Sequence, residues 1–415
     1  MNVLFISHSP LYPVDSGVIR RNIHLFLEAA RAHRVSLLVL GSGHDMRGFM
    51  DRHGSAVHVA MAVDVRNTGW RRVMRVCLFI VTGWAWVRHW HRQRVQHAID
   101  ALCAQTMPDV IHLTTPLLML YRYPHGVPIV ADAHNVEYDN LLRIARESRS
   151  PLRKLLFFAF AWRLRPEEAR TAAMVDRLLT VSGRDRDMFL HLAPRARIAV
   201  VPNGVDLNGF APSGSARTRH SLLFLGMMNY HPNDDGVRFF LEEIFPAIRS
   251  AIPDVTISIV GGEPSAAVRA AGSPQVIVTG LVPDVRPYLA SAEVLVVPLR
   301  AGGGTRLKLL EAMAAGIPAV STTIGCEGLG ATHDQHLVIA DGPGAFARAV
   351  VDLLGDADKR QRLAAQAREF VRTRYGWEQV GEVLNAQYSA LAPTDGSMAS
   401  SPERFTHAAP SAETV

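Results

Sequence analysis

The sequence predicts an α/β fold, two Rossmann-like domains facing each other across a cleft, and three observations predict it. Short runs rich in Val, Ile and Leu alternate with longer amphipathic stretches along almost the whole chain, the pattern of parallel strands covered by helices on both faces. The alternation occurs twice. Each half opens on an apolar strand that runs into a loop of special residues: Ile6, Ser7 and His8 with Ser16 and Gly17 in the first, Leu225, Gly226 and Met227 in the second. At 415 residues the chain also exceeds one ordinary core.

Taken in order, the apolar runs of the first half fall at residues 3–6, 35–40, 57–63, 110–113, 129–131, 178–181 and 198–201. Those of the second half fall at 222–225, 256–260, 276–279, 294–297, 319–321 and 337–340. Their shortness and the helical stretches between them indicate parallel strands of a doubly wound sheet. A domain boundary is expected near Pro202, Asn203 and Gly204, where turn formers follow a strand, or in the linker-like stretch 211–219. The chain then divides into a first domain, 1–203, a second domain, 204–376, a helix, 377–391, expected to pack back toward the first domain, and a tail, 392–415. The tail is rich in Ser, Pro, Ala and Thr, and is expected to be disordered.

Hydrophobic residues at 48% and charged residues at 20% are the balance of a globular protein, neither disordered nor membrane-spanning. Cys77, Cys103 and Cys326 stand far apart, with no metal-ligand or redox spacing, which suits a reducing, cytoplasmic compartment. No signal peptide is expected at the N-terminus. Residues 1–203 hold 27 Lys and Arg against 16 Asp and Glu, a net of +11, and the remainder nets −5, giving the overall +6. No zinc finger, RNA-binding aromatic signature or basic zipper accompanies the basic half, so nucleic acid is not the expected partner.

The chemistry concentrates between Pro298 and Pro318. A strand ends, Gly302, Gly303 and Gly304 follow, and a helix is expected from about Thr305. Glycine lets the backbone approach a ligand closely, and a helix N-terminus offers unpaired N–H groups. Arg306 and Lys308 fall in the first turn, where cations oppose the helix dipole, a placement expected if they meet a diphosphate. Glu311, further into the helix, is placed to accept hydrogen bonds from a ribose diol. In the first half, Asp132, His134, Asn135 and Glu137 follow a strand and should point into the cleft.

The stretches GGGTRLKLLEAMAAGIPAVSTTIGCEGL, FLGMMNYHPNDDGVRFF, TGLVPDVRPYLASAEVLVVPL, VSGRDRDMF and VVPNGVDLNGF resemble the glycosyltransferases of family 4, over roughly the whole chain except the tail. The resemblance is greatest to the branch found in bacterial exopolysaccharide synthesis. It implies the GT-B fold, sugar transfer with retention and no metal or other cofactor. It also implies a first domain that binds a glycan or lipid-linked acceptor and a second that binds the nucleotide sugar, a UDP-sugar by default and GDP-linked as the alternative.

Carried over residue by residue, Glu311 matches the second glutamate of the family's paired motif, which holds the ribose. The first glutamate is replaced by Gly303, a departure from the common pattern. Most members place Arg and Lys after Gly226 for the diphosphate; this chain has Met227 there, and Arg306 and Lys308 are inferred to supply the charge. Gly304 and Thr305 belong to the same donor loop. Val282 matches the turn whose backbone contacts the base, and Gly261 the floor beneath the nucleoside. Gly17 matches the loop that lets diphosphate and acceptor approach, and His134 the active-site histidine near the donor sugar.

Residues 66–97 hold seven arginines and no acidic residue, with Trp84, Trp86 and Trp90 among them. The apolar stretch between is too short to span a bilayer, and basic flanks with tryptophans suit a segment lying on an anionic membrane surface. A second candidate is 152–164, with Arg153, Lys154 and Arg163. The expected location is therefore cytoplasmic and peripheral on the inner face of the membrane. A nucleotide-sugar epimerase of the same architecture is the alternative. A dinucleotide-dependent oxidoreductase lacks its third fingerprint glycine after Gly41 and Gly43. A non-catalytic scaffold on a degenerate transferase fold is the third rival.

Overall fold

The computed structural model describes residues 1–12, 17–65, 92–148, 150–212, 214, 216–302 and 306–391. Ser16, Gly303, Gly304, Thr305, residues 66–91 of the basic aromatic segment and the tail 392–415 lie outside the described residues.

Each apolar run of the sequence overlaps a strand, and the strands form two parallel sheets. The first holds β1 (Asn2–Ser7), β2 (Arg34–Leu40), β3 (Ala60–Val63), β4 (Val110–Leu113), β5 (Ile129–Ala133), β6 (Arg177–Thr180) and β7 (Ile198–Val200), in the order β3-β2-β1-β4-β5-β6-β7. The second holds β8 (Ser221–Leu225), β9 (Thr256–Val260), β10 (Val276–Gly280), β11 (Val294–Val297), β12 (Ala319–Ser321) and β13 (Val338–Ile339), in the order β10-β9-β8-β11-β12-β13. Strand order reverses between β1 and β4 in one sheet and between β8 and β11 in the other. In an open α/β sheet the crevice beyond the strand carboxyl ends at such a reversal is where ligands bind.

The runs are apolar on both faces because both faces are covered. Val3, Leu4, Phe5 and Ile6 of β1 are all buried, as are all four residues of β11. Phe5 lies on one side, packed edge-on to Phe26 of the helix Gly17–Ala32 and stacked on His112. The helix Trp377–Ser389 packs on that same face of the first sheet: Trp377, Val380, Leu384 and Tyr388 share a core with Phe5 and Phe26. Tyr388 hydroxyl and His112 Nδ1 are 2.8 Å apart. This crossing needs glycine at Gly204, where any Cβ would run into the Trp377 ring. No helix among the described residues is long and apolar enough to cross a membrane.

Candidate active site

On the first-domain side the carboxyl ends of β1, β4 and β5 bring His8, Thr114, Asp132 and His134 together. His8 Nδ1 and its backbone N–H both meet Thr114 Oγ1, at 2.9 and 3.1 Å, and the His8 and His134 rings lie 6.4 Å apart. Burial pushes His8 down to about 4, with His134 adding to the effect, and burial likewise lowers His134; both rings are neutral near pH 7. His134 Nδ1 lies 3.5 Å from Asp132 Oδ2, too long for an ordinary hydrogen bond, and both ring nitrogens are buried.

Asp132 is fully buried, and Arg21 holds it. The guanidinium donates through Nε and one terminal nitrogen to the two carboxylate oxygens, both at 2.7 Å. Its remaining donors reach the carbonyls of Val201 and Pro202, each at 2.8 Å, and Asn203 Oδ1 at 3.1 Å. One buried side chain thus ties the first helix, the strand that presents His134 and the connection into the second domain. Arg21 escapes sequence reading because an arginine in an amphipathic helix looks like part of a solvated face.

On the second-domain side, β8 runs into Gly226, whose N–H donates to the Val260 carbonyl at 3.0 Å. Gly261 has φ of +154°, and a Cβ there would meet the Gly226 carbonyl. Gly261→Ala is expected to lose about 1–3 kcal/mol, as overpacking of a tight site does; a denaturant titration checks it, and an unchanged midpoint would show that the strand ends separate freely. Val282 is partly buried, packed on the core of this domain.

The helix Leu307–Ala314 begins one residue after Arg306, so its start lies slightly later than the sequence indicates. Lys308 Nζ donates to Asn233 Oδ1 at 2.8 Å and sits 4.1 Å from the centre of the Phe224 ring, beside Gly226. Burial, then the neighbouring Arg306, push its ammonium down to about 7. Arg306 is buried against Gly302 and donates to the Ile324 carbonyl at 3.3 Å. Lys308 is therefore the cation nearer Gly226, and Arg306 braces the adjoining loop. Among the described residues no group of three or more His, Cys, Asp or Glu side chains could hold a metal ion.

The two sides meet through charge. Arg20 pairs with Glu311 across the cleft, and a Cβ on Gly17 would lie 2.9 Å from Leu307. Glu311 is buried, which raises its carboxyl, an effect Arg20 opposes. In a second cluster Glu327 accepts from Arg143 at 2.6 Å and pairs with Arg184 at 3.0 Å, while Asp139 bridges the same two arginines from the first domain. Asn135 donates to Glu137 at 3.0 Å, and the N–H groups of Glu137 and Tyr138 are capped by Glu168 from a neighbouring helix. Arg20 and Glu327 carry no local sequence signal, since their partners are remote in the chain, and the spacing of Asp139 and Arg143 shows only a pair within one helix.

Residues 16–208 match the family model described as Glycosyltransferase Family 4, and residues 219–356 the model described as Glycosyl transferases group 1. A phosphatidyl-myo-inositol mannosyltransferase of Mycobacterium tuberculosis is 31% identical over 303 residues, 68% of this chain and 74% of that one. The chain spans about half the length of other curated relatives it matches, 44% and 54% in two of them. Among solved structures, a sucrose-phosphate synthase from Thermosynechococcus elongatus superposes with a TM-score of 0.70 at 16% identity, covering 94% of this chain and 99% of that one. Anabaena Alr3699/HepE in complex with UDP superposes with a TM-score of 0.64 at 14% identity, covering 94% and 100%. These likenesses identify the fold as GT-B.

Proposed function

Since the chain belongs to glycosyltransferase family 4, and is a glycosyltransferase, we propose that it moves a sugar from a UDP-sugar to a glycan or lipid-linked acceptor at the membrane surface, with retention, in polysaccharide biosynthesis. The observation that carries the donor side is Lys308, a partly buried ammonium held between Asn233, Phe224 and Gly226 at the strand reversal of the second domain. A cation so placed, beside a helix start, meets the diphosphate. Glu311 grips the ribose once Arg20 releases it. His134, on the opposite wall, meets the sugar as the cleft closes. In the reaction the bond from the anomeric carbon to the distal phosphate oxygen breaks and the diphosphate leaves with the electron pair. The acceptor hydroxyl oxygen takes the carbon, and its proton departs to solvent or phosphate. Neither a metal nor another cofactor enters this scheme.

The UDP seen with the Anabaena structure supports the choice of base, and GDP is the alternative. Calorimetry with UDP, GDP and uridine decides between them. It also tests Lys308 through protons. The free ammonium titrates at about 7, and a bound diphosphate pushes it up. At about pH 8 the free amine is mostly neutral and the bound one charged, so binding takes up close to one proton per diphosphate. Affinity falls as pH rises above about 7, uridine binding takes up none, and Lys308→Met abolishes the uptake. Diphosphate binding with no proton uptake in wild type would remove Lys308 from the donor site.

A further inference from the structure

The helix Pro151–Met174 carries a stripe of large apolar side chains that is exposed. Leu152, Leu155 and Trp162 are 76%, 68% and 77% exposed, with Leu156 and Phe158 beside them. Ala161, Glu168, Thr171 and Ala172 are the buried residues of this helix. At helical spacing they form the stripe opposite Leu152, Leu155, Leu156 and Trp162, so the apolar side chains face outward because the other face holds the helix in place. Arg153 and Lys154, both exposed, follow Leu152 in the first turn of the helix, where every residue from Pro151 to Leu156 is exposed. Between Glu147 and Glu167 the sequence has no acidic residue and five basic ones: Arg149, Arg153, Lys154, Arg163 and Arg165.

We propose that this face docks the protein on an anionic lipid bilayer, Leu152, Leu155, Leu156 and Trp162 entering the headgroup layer and Arg153 and Lys154 meeting lipid phosphates. Large aliphatic and indole side chains beside lysine and arginine suit that interface, where one side is apolar and the other wet and negative. Charge decides against two other occupants. The chain's own segment 66–97, with seven arginines and no acid, would be repelled. A second copy packed face to face would set the same basic rows against each other. The docking surface rests on the reading that the acceptor is held at a membrane, and it gives the first domain the element that meets it.

The test is co-sedimentation of the full chain at low salt with phosphatidylglycerol–phosphatidylcholine vesicles and with pure phosphatidylcholine vesicles, beside calorimetric UDP binding and light scattering. Wild type should sediment with the anionic vesicles and be released by salt. Leu152→Ser/Leu155→Ser/Trp162→Ser, and separately Arg153→Gln/Lys154→Gln, should each partition at least tenfold less with UDP affinity unchanged. All five positions are exposed, so both variants keep the fold. Variants that sediment like wild type, or wild type that binds both vesicle types equally, overturn the proposal. So does a wild-type dimer, unbound to vesicles, that the triple variant splits. Failure on vesicles with UDP still bound overturns the docking surface alone. Anionic binding lost in the variants, with neither UDP nor GDP bound by wild type, supports the surface and overturns the donor reading.

Discussion

Arg21→Met is expected to destabilise the protein by about 3–5 kcal/mol, the usual cost of leaving one partner of a buried ion pair uncompensated. Arg21 is 1% exposed and Asp132 fully buried, so no water replaces the lost guanidinium. The variant also strips donors from the Val201 and Pro202 carbonyls and from Asn203. The loss should depend on pH. In wild type burial alone pushes the Asp132 carboxyl up, but Arg21 more than offsets this and holds it below its ordinary value. The stability this contributes is present above the ordinary carboxylate pKa and is lost as pH falls through the lowered one. Without Arg21, burial prevails and the folded-state pKa rises above the unfolded one. The variant is then least impaired in acid, where Asp132 is protonated, and its deficit grows as pH rises through the ordinary carboxylate range toward neutrality. Urea titrations of both proteins across that range measure it. A deficit under about 1 kcal/mol that does not vary with pH would make the pair incidental to the fold.

The sheets were legible in the sequence because a parallel strand covered on both faces is apolar at nearly every position, as β11 is throughout and β4 is except for His112. The residues at strand ends were legible for a related reason: a polar cluster such as Asp132, His134 and Asn135 directly after an apolar run has few places to go but the cleft. What the sequence hid is what depends on partners far away in the chain. Arg20 and Glu311 are 291 residues apart, and Arg21 and Asp132 are 111 apart. No local pattern separates a buried arginine from a solvated one. Thr114 was missed because a lone threonine after a strand is ordinary until His8 folds onto it. Glu168 was hidden likewise: it caps a helix that precedes it by about thirty residues, and burial pushes its carboxyl up to about 8. Arg306 and Lys308, paired by their spacing, part in space: one braces the loop at Ile324, and the other faces Gly226.

His134→Ala is expected to lower turnover by about 10²–10³-fold, the usual loss when a preorganised group facing the reacting centre is removed. Its ring is buried, neutral and set beside Asp132 on the first-domain wall, opposite the second domain to which we assign the donor's nucleotide. An interaction made only as the cleft closes on the sugar contributes to the transition state and little to donor affinity. Glu311, proposed to grip the ribose in ground and transition states alike, should show the reverse: Glu311→Gln raises KM for the donor and leaves turnover nearly intact. The most direct measurement pairs initial rates of labelled sugar transfer from UDP-sugar to a membrane extract with calorimetric donor binding, for wild type and His134→Ala. Turnover reduced at least a hundredfold with donor Kd within about twofold of wild type is the expected result. Full turnover in the variant, or turnover and donor affinity lost together, would contradict the division of donor binding and chemistry between the two domains.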